Sequence, residues 1–135
     1  MGYYMDQIEA DFEIKHDLQE KALEAIKNLA SGSDSPRHLH YAWVNDGEYC
    51  DAKDLDTAMD AWRWHVERNE DGDIDYISFE GEKLGDDEIL FNAIAPYVTQ
   101  GSYIQMSGEE GCIWRWVFDG EKCAEIYPKI EWGEI

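Results

Sequence analysis

Trp114-Arg115-Trp116-Val117-Phe118, followed at once by Asp119-Gly120, restricts the fold of this chain more than any other segment. Large apolar side chains alternate there at period two, and Asp-Gly then supplies the backbone of a tight hairpin turn. Residues 112–118 and 121–127 therefore read as antiparallel strands. Upstream, residues 102–107 turn through Gly108-Glu109-Glu110-Gly111 into the same strand, which makes the last third a β-meander. If Phe118 pairs with Glu121, Trp116 faces Cys123, Trp114 faces Glu125 and Cys112 lies opposite Tyr127. Those two cysteines are then not cross-strand partners.

The rest of the chain alternates strands with helices. Ile8, Ala10, Phe12 and Ile14 fall on one side of a strand over residues 8–14, with Glu9, Asp11 and Glu13 as its acidic outer face. Asp17 and Glu20 have the spacing of a capping pair, opening a helix whose apolar stripe is Leu18, Ala22, Ala25, Ile26 and Leu29. A loop at residues 31–36 leads to a second strand over 39–44. Leu55, Ala58, Met59 and Trp62 set a short helix over about 54–62. Residues 64–67 and 74–80 flank Asn69-Glu70-Asp71-Gly72-Asp73 as a hairpin. Gly85-Asp86-Asp87-Glu88 opens a third helix with the stripe Leu90, Ala93, Ile94 and Tyr97, its carboxylates complementing the helix dipole. The expected order is βαβαββαβββ: an α+β fold, two or three helices packed on a mostly antiparallel sheet, in a single domain over residues 1–135.

Charge bears on function. Thirty-one acidic residues against eleven basic ones give a formal charge of −20, yet 44% of the chain is hydrophobic and six residues are tryptophan. A disordered acidic tail lacks such an apolar content. The reading is a folded domain with a negative coat, which nucleic acid and anionic membranes repel. No run of apolar residues is long enough for a membrane span, no signal peptide is visible, and three cysteines without CxxC spacing fit a reducing cytoplasm. Between residues 46 and 88 the chain carries sixteen Asp/Glu against four Lys/Arg. Such a region is either a solvated surface or a decoy reproducing the field of a phosphate backbone.

Motifs with catalytic chemistry are missing from the sequence. Residues 67–78 superficially resemble a calcium loop, but Glu67 stands where Asp is wanted and Ser78 where a bidentate Glu is wanted, so an Asp-Gly turn is the better reading. His38 and His40 share a strand face, with Cys50 further along, but no third metal ligand follows by spacing. His16 and His65 have no neighbouring nucleophile. No metal site, cofactor or enzyme activity is expected.

Several stretches carry a resemblance: Gly81-Glu82-Lys83-Leu84-Gly85-Asp86-Asp87, Ala95-Pro96-Tyr97-Val98, Gly101-Ser102-Tyr103-Ile104, and Gly108-Glu109-Glu110-Gly111 with Trp114-Arg115-Trp116-Val117-Phe118. Over about a third of the chain this resembles a pattern in small, largely uncharacterised acidic proteins of phages and mobile elements in Gram-positive bacteria. By class, the size and charge are similar to anti-CRISPR and antirestriction DNA mimics.

The resulting expectation is a non-enzymatic inhibitor acting in the host cytoplasm. Its partner would be a basic nucleic-acid-binding defence enzyme, such as a CRISPR effector or restriction enzyme. The candidate carboxylates are Asp71, Asp73, Asp75, Asp86, Asp87 and Glu88, with Glu109 and Glu110 as a second patch. Trp62, Trp64 and Tyr76 are candidate aromatic anchors. The alternative is a small-ligand or peptide-binding module around Tyr103, Trp114 and Trp116, although core packing is the ordinary role of such indoles.

Overall fold

The computed structural model describes residues 2–30, 44 and 51–133. Strand β1, Met5–Asp11, begins before the expected position because a bulge between Gln7 and Glu9 breaks the alternation. Met5 is buried ahead of the bulge, and Phe12 and Ile14 are buried beyond it. Ile8, expected in the core, is the extra residue and is 46% exposed. A 3-10 turn at His16–Leu18 then leads into helix α1, Gln19–Ala30. Asp17 lies inside that turn rather than capping it, and the His16 N–H instead donates to the Asp73 carboxylate at 2.7 Å. The expected strand at 39–44 lies outside the described residues, Val44 excepted.

Helix α2, Leu55–Ala61, starts where Asp54 accepts the Thr57 N–H at 2.8 Å, and it buries Leu55, Ala58, Met59 and Ala61. Strands β2, Trp64–Arg68, and β3, Ile74–Phe79, form the anticipated antiparallel hairpin. Asn69 Oδ1 accepts the N–H groups of Asp71 and Asp73, and Gly72 takes φ +85°. An Asx turn and a left-handed glycine therefore shape the segment that resembles a calcium loop. Helix α3, Asp87–Ile94, runs into a 3-10 turn at Ala95–Tyr97.

Strands β4, Tyr103–Gly108, β5, Ile113–Phe118, and β6, Cys123–Ile126, complete the antiparallel order β1-β4-β5-β6. The β5–β6 register differs from expectation by two residues: Phe118 pairs with Cys123 and Trp116 with Glu125. Asp119 causes the shift, because its carboxylate accepts the N–H groups of both Glu121 and Lys122 and widens the turn. A shift of two keeps every side chain on its expected face. The α+β class with antiparallel sheets is thus what the described residues adopt.

The β2–β3 hairpin joins the edge of β1. Ile14 and Ile74 exchange backbone hydrogen bonds at 3.0 and 2.9 Å. Further along, the Gln7 side chain donates to the Ile77 carbonyl at 2.9 Å and accepts the Phe79 N–H at 2.8 Å. One side-chain amide thus bridges β1 to the backbone of β3. The inner sheet face presents Ile104, Met106, Trp114, Trp116 and Phe118 to Ile26, Leu90, Phe91 and Ile94 of the helices, all buried. Trp64, Phe91 and Trp116 meet at centroid distances of 5.0 to 6.1 Å, in tilted and edge-to-face geometry. Phe91, absent from the expected stripe, sits at the centre of this cluster.

Candidate functional site

Two rows of carboxylates meet where β3 runs beside β1. Glu9, Asp11 and Glu13 come from β1 and the residues just after it, and Asp71, Asp73 and Asp75 come from the β2–β3 turn and β3. Asp11, Glu13 and Asp75 line one groove, together with Phe12, Thr99 and Ser102. Lys15 lies in the row, 3.3 Å from Glu13 and 3.8 Å from Asp73. Its ammonium is held above the usual lysine range, first by the hydrogen bond to Glu13 and then by the charges of Glu13, Asp73 and Asp71. At the other end the Tyr103 hydroxyl bonds Glu9. That bond, with desolvation and the negative charges of Glu9 and Asp11, pushes the phenol up, while Arg115 opposes it.

Residues two apart on a strand are roughly 6.5 Å apart, and the second row fills in beyond the first. The seam therefore carries a carboxylate on the order of every 5 Å, against about 3.4 Å per charge for one strand of a duplex. Every one of these six acids is named by the sequence, three as an outer strand face and three as candidate contacts. Only the Ile14–Ile74 bridge, which sets the β2–β3 hairpin beside β1, brings them together.

The other candidates separate from the seam. Asp86 and Glu88 lie at the start of α3, and Glu109 and Glu110 in the 3-10 turn between β4 and β5. Glu109 accepts the Tyr4 N–H at 3.0 Å, which fixes that turn to the chain's first residues. Asp87 is not a surface contact: it is 1% exposed, bonded by Arg63 at 3.2 Å, by the Trp64 indole at 2.9 Å and by the Gly85 N–H at 2.9 Å. Asp73, 16% exposed, is mostly committed to His16 and Lys15. Asp71 and Asp75 are exposed.

The aromatic assignments are corrected in the same way. Trp62 and Trp64 are fully buried and cannot anchor a partner, because α2 and β2 turn both indoles into the core. Tyr76 remains exposed on β3. Trp114 and Trp116 also face inward, so the ligand site around Tyr103, Trp114 and Trp116 does not assemble: Tyr103 is on the opposite sheet face. There Arg115 stacks over the Tyr103 ring at 4.4 Å and donates to Gln105 at 2.7 Å. His38, His40 and Cys50 lie outside the described residues. His65 sits 3.3 Å from Glu67 and 3.8 Å from Asp60 on the surface. Among the described residues no group of three or more His, Cys, Asp or Glu is placed to hold a metal ion, and no helix is long and apolar enough to cross a membrane.

Compared with protein-family models, with curated proteins and with solved structures, the chain matches none.

Proposed function

We propose that this chain is a non-enzymatic binding protein whose acidic seam occupies a basic, nucleic-acid-binding surface of a partner protein. The observation that supports the reading is the Ile14–Ile74 bridge, beside which Asp11, Glu13 and Asp75 line one groove and Asp73 and Asp71 continue the acidic surface around Lys15, with Glu9 two residues before Asp11. A rigid row keeps its carboxylates in place before docking, so less side-chain and backbone entropy is lost on binding. Its field also steers a cationic partner toward it. The finer form of the proposal is an inhibitor of a host CRISPR effector or restriction enzyme in the cytoplasm. It rests on the resemblance to small acidic proteins of phages and mobile elements.

The test is a pull-down of tagged protein from bacterial lysate at low and high salt, with mass spectrometry of the retained proteins. A parallel arm uses the variant Glu9→Gln/Asp11→Asn/Asp71→Asn/Asp75→Asn, which alters exposed side chains only. Basic nucleic-acid-binding proteins should be retained at low salt, elute at high salt, and be lost by the variant. A folded variant that retains the same proteins, or a wild-type chain that retains none, overturns the proposal.

A further inference from the structure

Among the described residues, strand β6 is the edge of the four-stranded sheet and pairs on one side only. The chain beyond it, residues 127–133, is exposed throughout and leaves Ile130 83% and Trp132 91% accessible. Beside it is a hollow of about 400 Å³ whose lining includes Ile113, Trp114, Arg115, Ile126, Tyr127 and Pro128. An apolar stretch of this kind on a free sheet edge is a template for strand addition.

We propose that residues 127–133 pair antiparallel with the same segment of a second copy of this chain. Backbone phase supports this. The Asp119 N–H donates to the Lys122 carbonyl, which makes that pair a hydrogen-bonded one, so even-numbered residues of β6 bond toward β5. Cys123 accordingly donates its N–H away from β5, to Asn92. Odd-numbered residues thus turn their backbone groups to the free edge, and the Tyr127–Glu125 side-chain hydrogen bond carries the same alternation past the end of β6. Pro128 is even-numbered, so its missing N–H falls where the new edge needs none.

Side-chain chemistry fixes the register. Pairing centred on Ile130 places Lys129 opposite Glu131 of the second copy, and Glu131 opposite its Lys129. Two opposite-charge pairs result, with Ile130 on its own symmetry mate. Trp132 of each copy then lies opposite Pro128 of the other, on the face of Ile126 and the hollow. The interface is isologous and closes. Two chains of −20 repel one another, so this association strengthens with salt, whereas docking of a basic partner weakens with it.

Sedimentation equilibrium of the full chain at low and high salt tests the pairing. The wild type should form a dimer that tightens with salt. Ile130→Asp should weaken it roughly thirtyfold or more. Lys129→Glu, which creates two like-charge pairs, should weaken it roughly tenfold, and Lys129→Glu/Glu131→Lys should restore it. Lys21→Glu, an exposed change on α1 with the same net charge as Lys129→Glu, should leave it near wild type. A chain that is monomeric at every salt and concentration overturns the proposal. So does a dimer indifferent to Ile130→Asp, or one that Lys129→Glu/Glu131→Lys fails to restore.

Discussion

Asp87 Oδ1 accepts the indole N–H of Trp64 at 2.9 Å, joining the first turn of α3 to the first residue of β2 inside the core. Arg63 closes on the same carboxylate at 3.2 Å. Asp87→Ala leaves a mostly buried guanidinium and a fully buried indole N–H without this acceptor. The expected cost is roughly 3–5 kcal/mol, read as a lower urea midpoint with unchanged slope. Arg63→Met/Asp87→Ala should recover part of it.

Gln7→Leu removes the amide that splices β1 to β3. The Phe79 N–H and the Ile77 carbonyl both lose a partner, at about 1–3 kcal/mol for each group that stays buried. Hydrogen exchange at Phe79 should accelerate well ahead of amides in β4 and β5. Equal acceleration everywhere would mean that the hairpin is held by other contacts.

The cap of α2 gives a pH dependence with a definite sign. The Thr57 N–H bonded to Asp54 holds that carboxyl below the usual carboxylate range. The stabilisation is therefore present above the unfolded-state pKa and lost as pH falls through the depressed one. Asp54→Ala should cost about 1 kcal/mol at neutral pH, and the difference from wild type should vanish in acid.

Cys123 and Cys112 should differ in reactivity. Burial, with the charges of Glu88 and Glu125, pushes the Cys123 thiol up to about 12, whereas Cys112 is exposed. Alkylation in mild base, mapped by mass spectrometry, should label Cys112 rapidly and Cys123 only on unfolding. Because the folded pKa lies above the unfolded one, this contribution to stability is complete below the unfolded pKa and declines as pH rises toward 12.

Within the seam, stability and binding should separate. Asp73→Ala breaks the bond to the His16 N–H and should cost roughly 1.5–3 kcal/mol. Asp71→Asn and Asp75→Asn change exposed groups, should stay within about 0.5 kcal/mol of wild type, and should weaken capture of basic proteins.

What the sequence made legible was periodic. The shared face of Trp114, Trp116 and Phe118, the start of α2 near Asp54 and the β2–β3 hairpin all follow from spacing and turn chemistry, whereas the inward direction of that face depends on the helices packed against it. Ile8 was misplaced because a bulge leaves no mark in an alternation read residue by residue. The β5–β6 register moved because the Asp119 carboxylate can accept from two backbone N–H groups, and Asp-Gly alone does not say how many residues the turn will hold. Asp87 looked like one more helix-start carboxylate, since its burial depends on Arg63 and Trp64 arriving from another element. The seam had the same cause: its two rows are some sixty residues apart in sequence, and the Ile14–Ile74 bridge between them is not a local property.

The edge-to-face indoles of the core have a spectroscopic consequence. Trp114 and Trp116 lie 5.8 Å apart at 83°, and Trp64 and Trp116 lie 6.1 Å apart at 80°. Electronic transitions of chromophores so close and so oriented couple as excitons. The circular dichroism of this protein should therefore carry a split indole band on top of the backbone signal, and helix content fitted from backbone spectra alone will be misjudged. That band follows ring geometry rather than helix, so its loss on heating times the disordering of the aromatic core. Trp132, far out on the tail, leaves it untouched and reports through fluorescence instead.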